Sequence, residues 1–281
     1  MGAGAAEGGR VMSVAAITAP AAGVVDGLPF DEYLSITAAS ASALKVLAAC
    51  PAKLGTESEQ TAAMRMGSLT HCAILEPAAL ERRYAPTDLD RRGTKAWDAE
   101  ALAAGGRELI KRDEWNTALA MRDAVHAHAT ARELLADAIT ERTLTWTDPE
   151  TGVPCKARLD IYGVCPADLK TAADASPYGW GRAAISSGYY LQAAHYLEGC
   201  RACGLNADGM PFIVVEKEFP HVVEVYELDQ RLLDITARRR IDYLRAWREA
   251  LAVRAHGLPL PGYTGGNGIH QLTAPAWALE E

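Results

Sequence analysis

The chain has 281 residues, 49% hydrophobic and 23% charged, with 28 Lys plus Arg against 36 Asp plus Glu and a formal net charge of −8. That length supports a substantial core in one large domain or two small ones. The acidic balance argues against a generally basic nucleic-acid coat but leaves room for a local basic groove, and no apolar run approaches the roughly 20 residues of a membrane span.

Residues 1 to 29, rich in Ala and Gly, read as a disordered leader. The stretch Val11 to Ile17 imitates a short signal peptide, but Glu7 and the Gly-rich start break that pattern. Six cysteines, at 50, 72, 155, 165, 200 and 203, are too sparse for a disulfide scaffold and fit a cytoplasmic protein. One domain is expected from about residue 30 to 255, with a Gly/Pro-rich tail over 256–281.

Within that domain, Ser40 or Ser42 caps a helix with Leu44 and Leu47 on one face and Pro51 beyond its end. Met64 to Leu75 forms a second helix, closed by Glu76-Pro77. The charged stretch 78–93, with Arg82-Arg83 and Arg91-Arg92, is expected as a surface loop. Ala-rich helical patterns follow over Trp97–Ala104 and about Lys111–Ala138, separated by Gly105-Gly106.

From Glu141 the texture becomes that of a hairpin, turning at Asp148-Pro-Glu-Thr-Gly152. In its second arm Val153, Cys155, Ala157, Leu159 and Ile161 alternate with Lys156, Arg158 and Asp160. A third strand covers about Val164–Thr171. Ser176-Pro177 opens a helix running to about Glu198 and ended by Gly199. Strands at Phe212–Glu216 and Val222–Glu227 turn at Pro220-His221, and a long amphipathic helix spans about Gln230–Ala255. The order implies a mixed α/β fold.

Chemistry concentrates at Asp160 and Asp168-Leu169-Lys170. Asp168 and Lys170 share a strand face, and Asp160 lies on the polar face of the neighbouring arm. Paired carboxylates in a dry site call for a cation such as Mg²⁺, and a lysine beside them can orient a water or offset charge on a phosphate. Asp-x-Lys alone is common and by default a surface pattern. Gln192 and Tyr196, four apart, share a helix face. His71 sits mid-helix after Gly67, by default a core or surface residue and otherwise a metal ligand.

Five segments in register carry a resemblance: Ser40-Ala-Ser-Ala-Leu-Lys45 with Cys50-Pro51; Gly67-Ser-Leu-Thr-His-Cys-Ala-Ile-Leu-Glu-Pro77; Thr151 to Asp160; Asp168-Leu-Lys-Thr171; and Gly188 to Gly199. Together with the strands over 212–228 they cover roughly residues 33–250. The chain resembles the RecE-like exonucleases (exodeoxyribonuclease VIII type) of the PD-(D/E)xK nuclease superfamily, whose core is a central mixed sheet flanked by helices. The resemblance implies His71, Asp160, Asp168 and the Leu169 carbonyl as ligands of Mg²⁺, with Mn²⁺ as a substitute. It implies Lys170 as the group that positions water, supported by Gln192 and Tyr196. The implied reaction is hydrolysis of linear duplex DNA, 5′ to 3′, leaving 3′ single strands for a single-strand annealing protein. A ring-shaped homo-oligomer, no membrane, and a bacterial or phage-infected cytoplasm complete the expectation.

Cys200-Arg-Ala-Cys203 lacks a second pair and reads as two ordinary thiols. Arg238-Arg-Arg240 with Arg245 and Arg248 reads equally as a DNA-backbone face or as a solvated face balanced by Asp234, Asp242 and Glu249. A catalytically silent DNA-binding protein on the same fold and a structure-specific endonuclease remain as rival functions.

Overall fold

The computed structural model describes residues 22–56, 59–265 and 268–274. Residues 1–21, with the signal-like stretch, and the last seven residues of the tail lie outside the described residues. A six-stranded sheet takes the order β1 (Gly23–Val25), β4 (Ile139–Thr147), β5 (Pro154–Tyr162), β6 (Pro166–Ala172), β7 (Phe212–Glu216), β8 (Val223–Tyr226). Neighbours are antiparallel except β6 and β7, which are parallel. A parallel pair needs a crossover, and α8 (Pro177–Ser186) with α9 (Tyr189–Ala202) supplies it. A separate parallel pair joins β2 (Tyr84–Thr87) to β3 (Glu108–Lys111).

Alternation along β7 shows how the two faces are covered. Phe212 and Val214 pack with Trp180 of α8 and with Ala193 and Leu197 of α9. Ile213 and Val215 pack instead with Ile74, Met121 and Val125, from α3 (Ala62–Leu75) and α6 (Arg112–Ala127). A further cluster seats α2 (Ala41–Ala49), α9 and α10 (Gln230–Ala255) against β4 and β5, through Leu44, Leu47, Trp146, Leu159, Leu191, Leu244 and Trp247. Ser40 caps α2 by accepting from the Ala43 N–H at 3.2 Å. Among the described residues, no helix is long and apolar enough to cross a membrane.

Several expectations are corrected. The supposed loop over 78–93 begins as a helix, α4 (Pro77–Arg83), and the strand β2. Pro77 takes the first helical position, Leu80 and Tyr84 fill a buried cluster with Leu69 and Ile110, and Arg83 pairs with Glu76 at 2.8 Å. The apparent charge run is a helix end over a core. The pattern over 111–138 is α6 followed by α7 (Ala129–Leu135), broken at His128, whose ring caps α7. Gly199, expected to end a helix, lies inside α9, where an added Cβ would stand 2.7 Å from a Trp146 ring carbon. The true break is at Ser187-Gly188, with Gly188 at φ +65°. β1 lies within the stretch read as leader and pairs with β4.

The alternation along β5 also fails at one point. Leu159 packs with the α2–α9–α10 cluster, while Ile161 belongs with β6, β7 and α6. Opposite this switch, Glu141 adopts φ +56°, left-handed for a non-glycine residue. The register is unchanged on either side, with Thr140 facing Ile161 and Arg142 facing Leu159. Asp160 therefore sits at a twist in the strand.

The hairpin turn is tied to α10 by a buried ion pair. Asp148 accepts from the Thr151 N–H and hydroxyl at 2.8 Å each and from Arg240 Nη2 at 2.7 Å. Burial opposes the charge, yet Thr151 and Arg240 hold the Asp148 carboxyl below its usual range. Removing one partner of such a pair strands the other, so Arg240→Leu should cost about 3–5 kcal/mol in equilibrium urea unfolding. Arg245→Leu, which loses only the exposed partners Glu150 and Asp242, should cost less than about 1 kcal/mol. Equal losses would refute the assignment.

Candidate active site

The site forms where β5 and β6 stop pairing. Their ladder joins Tyr162 to Pro166 and Ile161 to Ala167, and the next step would set Asp160 opposite Asp168. There β6 instead carries its parallel pairing to β7, Asp168 facing Phe212 and Lys170 facing Val214. In place of a ladder bond, the Leu169 N–H donates to Asp160 Oδ2 at 3.0 Å. The freed β5 carboxylate thus lies against the backbone between Asp168 and Lys170.

Asp168 is fully buried, and both its oxygens are engaged. Lys170 Nζ donates to Oδ2, and Gln192 Nε2 donates to Oδ1 at 2.6 Å. Gln192 reaches it because Gly188 starts α9 beside β6. On the opposite side, α3 brings His71 Nδ1 to 3.6 Å from Asp160 Oδ2, and the His71 ring shares a hydrogen bond with the Leu169 backbone. Gly67, one turn earlier on α3, faces Thr171, whose hydroxyl would stand in ordinary contact, 3.8 Å, with an added Cβ. The side chains of His71 and Asp160 keep 27% and 16% exposure, so the site opens to solvent on this side.

Burial, and then the neighbouring Asp168 charge, push the Asp160 carboxyl well above its usual range. Burial works against the Lys170 ammonium, but Asp168 and Asp160 outweigh it and hold its pKa up. Burial and Lys170 drive His71 down to about 4, so its imidazole is neutral near pH 7 with a lone pair available. Among the described residues, no three His, Cys, Asp or Glu side chains stand as a ready metal cage. The donor set nonetheless suits a hard divalent cation. It offers two acids, the Leu169 carbonyl and a neutral imidazole, and Mg²⁺ takes one or two carboxylates while keeping several waters.

The structure brings His71, Asp160, Asp168, Leu169, Lys170 and Gln192 into one cluster. Tyr196 is less direct: its ring packs between the α10-side and α8-side cores, and burial pushes its hydroxyl pKa well up. Two residues escaped the sequence reading. Lys45 Nζ donates to Gln192 Oε1 at 3.3 Å, and the Tyr189 ring lies 5.0 Å from Lys45 Nζ and 5.1 Å from Lys170 Nζ. Lys45 did leave a signal, as the only charged residue in the nine of α2. All six cysteines are free, and Cys200 is buried in the core.

Residues 40–251 match the family described as PDDEXK-like domain of unknown function (DUF3799). No curated protein matches the chain. Among solved structures it is similar to a “Putative exonuclease” from Eubacterium rectale, with a TM-score of 0.51 at 15% identity, over 85% of this chain and 91% of that one. At that identity the likeness bears on the fold, and it agrees with the mixed sheet flanked by helices seen here. With most of its length matched, the chain belongs to the family of PDDEXK-like domains of unknown function.

Proposed function

We propose that the protein is a Mg²⁺-dependent exodeoxyribonuclease that degrades linear duplex DNA, 5′ to 3′, and leaves 3′ single strands for an annealing partner during recombination. The nuclease unit is taken as residues 30–255, acting in a bacterial or phage-infected cytoplasm as a ring-shaped oligomer. The carrying observation is the convergence of Asp160, Asp168 and Lys170 where two strands part. The resemblance to RecE-like exonucleases supports the polarity and the partner.

Asp160, Asp168, the Leu169 carbonyl and His71 would hold the cation, which would polarise the scissile phosphate and acidify a water. Lys170 supplies the cationic group of the cluster. Its ammonium, held up by the two carboxylates, orients the attacking water and offsets charge growing on the phosphate oxygens. Gln192 fixes the rotamer of Asp168 by donating to Oδ1, and its own carbonyl oxygen is held by Lys45. Glu141 and Arg158 pair behind Asp160, backing that end of the site.

With end-labelled linear duplex DNA, the wild type should lose substrate in Mg²⁺ and not in EDTA, while Lys170→Ala should be inactive and a closed circle should persist. Label order gives the strand polarity. Binding without cleavage would leave a DNA-binding protein, and a cut circle an endonuclease. Asp160→Asn should abolish cleavage and also the heat of Mg²⁺ or Mn²⁺ binding in calorimetry; an unchanged binding isotherm would remove Asp160 from the metal site. Gln192→Ala should lower kcat about 10–100-fold, as loss of a partner that orients a metal-ligating group does. An unchanged kcat would show that Asp168 needs no such support.

A further inference from the structure

A groove of about 340 Å³ runs between α2, the α8–α9 turn and the first half of α10. Lys45 and Arg239 line it, with Ser186, Ser187, Tyr190 and Tyr243, and no Asp or Glu lines it. A second cavity of the same size behind the hairpin turn is lined by Asp148, Glu150, Glu198 and Asp234 among its arginines. Two hollows of one volume thus differ in sign, and only the first is lined by cations without acids.

The arginines of α10 divide in the same way. Arg240 is buried on Asp148, Arg245 pairs with Glu150 and Asp242, and Arg248 donates to the Thr151 carbonyl. Arg231, Arg238 and Arg239 are exposed with no ion-pair or hydrogen-bond partner among the described residues, and of these three Arg239 alone lines this groove, Arg238 lining the acidic cavity instead. Across the groove, the stem of Lys45 lies on Gly188, where an added Cβ would meet Lys45 Cγ at 3.3 Å. Gly188 gives α9 no side-chain cap, so the positive end of that helix opens beside the lysine. Burial and then Lys170 disfavour the Lys45 ammonium while Asp168 supports it, and a lysine so lodged at a helix N-terminus gains from a further anion on the groove side.

We propose that this groove binds the phosphodiester backbone of one unpaired nucleic-acid strand, with Lys45 and Arg239 as its phosphate contacts. The half-buried rings of Tyr190 and Tyr243 beside the cations suit exposed bases, whose faces a duplex hides. Lys45 joins the groove to Gln192 and so to Asp168, which places the held strand next to the reacting carboxylates. The identity of the anion rests on the nuclease reading; the groove and its charge do not.

The test is fluorescence anisotropy of a labelled oligodeoxythymidine strand of about 12 nucleotides on the full chain in EDTA, across a sodium chloride series. Arg239→Ala and Lys45→Met should each weaken binding on the order of tenfold at low salt and flatten the log–log salt slope by about 0.7. Arg245→Ala should match the wild type. Lys45→Met also disturbs Gln192, so Arg239, away from the carboxylates, decides the matter. Wild-type affinity and slope in Arg239→Ala, or no binding by the wild type, would overturn the proposal. Displacement of the strand by inorganic phosphate beyond its ionic-strength effect would make the groove a small-anion site and overturn the strand assignment. Hydrolysis is absent in EDTA, so an inactive protein can still show the groove, and an active nuclease insensitive at Arg239 loses the groove alone.

Discussion

Two carboxylates meet where a strand changes partners, and the surrounding structure is organised by that meeting. Asp160 and Asp168 would face each other directly if the β5–β6 ladder continued, an arrangement of like charges that neighbouring strands avoid. The ladder ends one pair short, β6 carries on beside β7, and the released Asp160 turns to the Leu169 N–H. The left-handed Glu141 on the far side of β5 accommodates the twist, at a cost on the order of 1 kcal/mol for a non-glycine residue. α3 and α9 then close over the gap from opposite sides, each with one polar side chain aimed into it, His71 and Gln192.

The buried charges elsewhere make the contrast plain. Lys156, within the sheet, spends its three donors on the carbonyls of Tyr33, Leu34 and Ile36, the end of α1 (Phe30–Ser35). Asp148 collects three donors from Thr151 and Arg240. Such groups are nearly saturated and hold elements together. Asp160 has the Leu169 N–H and a neutral imidazole at 3.6 Å, and it keeps contact with solvent. That unmet demand sets the carboxylate of the proposed site apart from an architectural one.

Period-two alternation and turn chemistry made the hairpin, the strands and the pairing of Asp168 with Lys170 readable from sequence, because those patterns are local. The helix face carrying Gln192 was readable for the same reason. Charge misled over 78–93, where Arg82 and Arg83 end a helix that Leu80 and Tyr84 anchor from beneath. Gly199 misled because its role is a tertiary one, clearance for the Trp146 ring, while Gly188 carries the backbone break. The switch at Asp160 and the reach of Lys45 to Gln192 depend on packing between elements far apart in sequence, which no local pattern encodes. The same holds for Arg239, whose place in the groove depends on how α10 packs beside α2 and the α8–α9 turn.

The parallel pairing of β6 with β7 has a kinetic consequence. Asp168 finds Phe212 only after the whole α8–α9 crossover has been laid down, and Gln192 arrives on that crossover. His71 comes from well before the hairpin and Asp160 from within it. Closing such long loops is slow relative to forming a hairpin or a helix. No early folding intermediate, and no nascent chain ending before β7, can hold the acidic cluster together. A chain of this design assembles its acidic cluster only as its architecture is finished, so the centre proposed to cut DNA would not appear on a half-made protein.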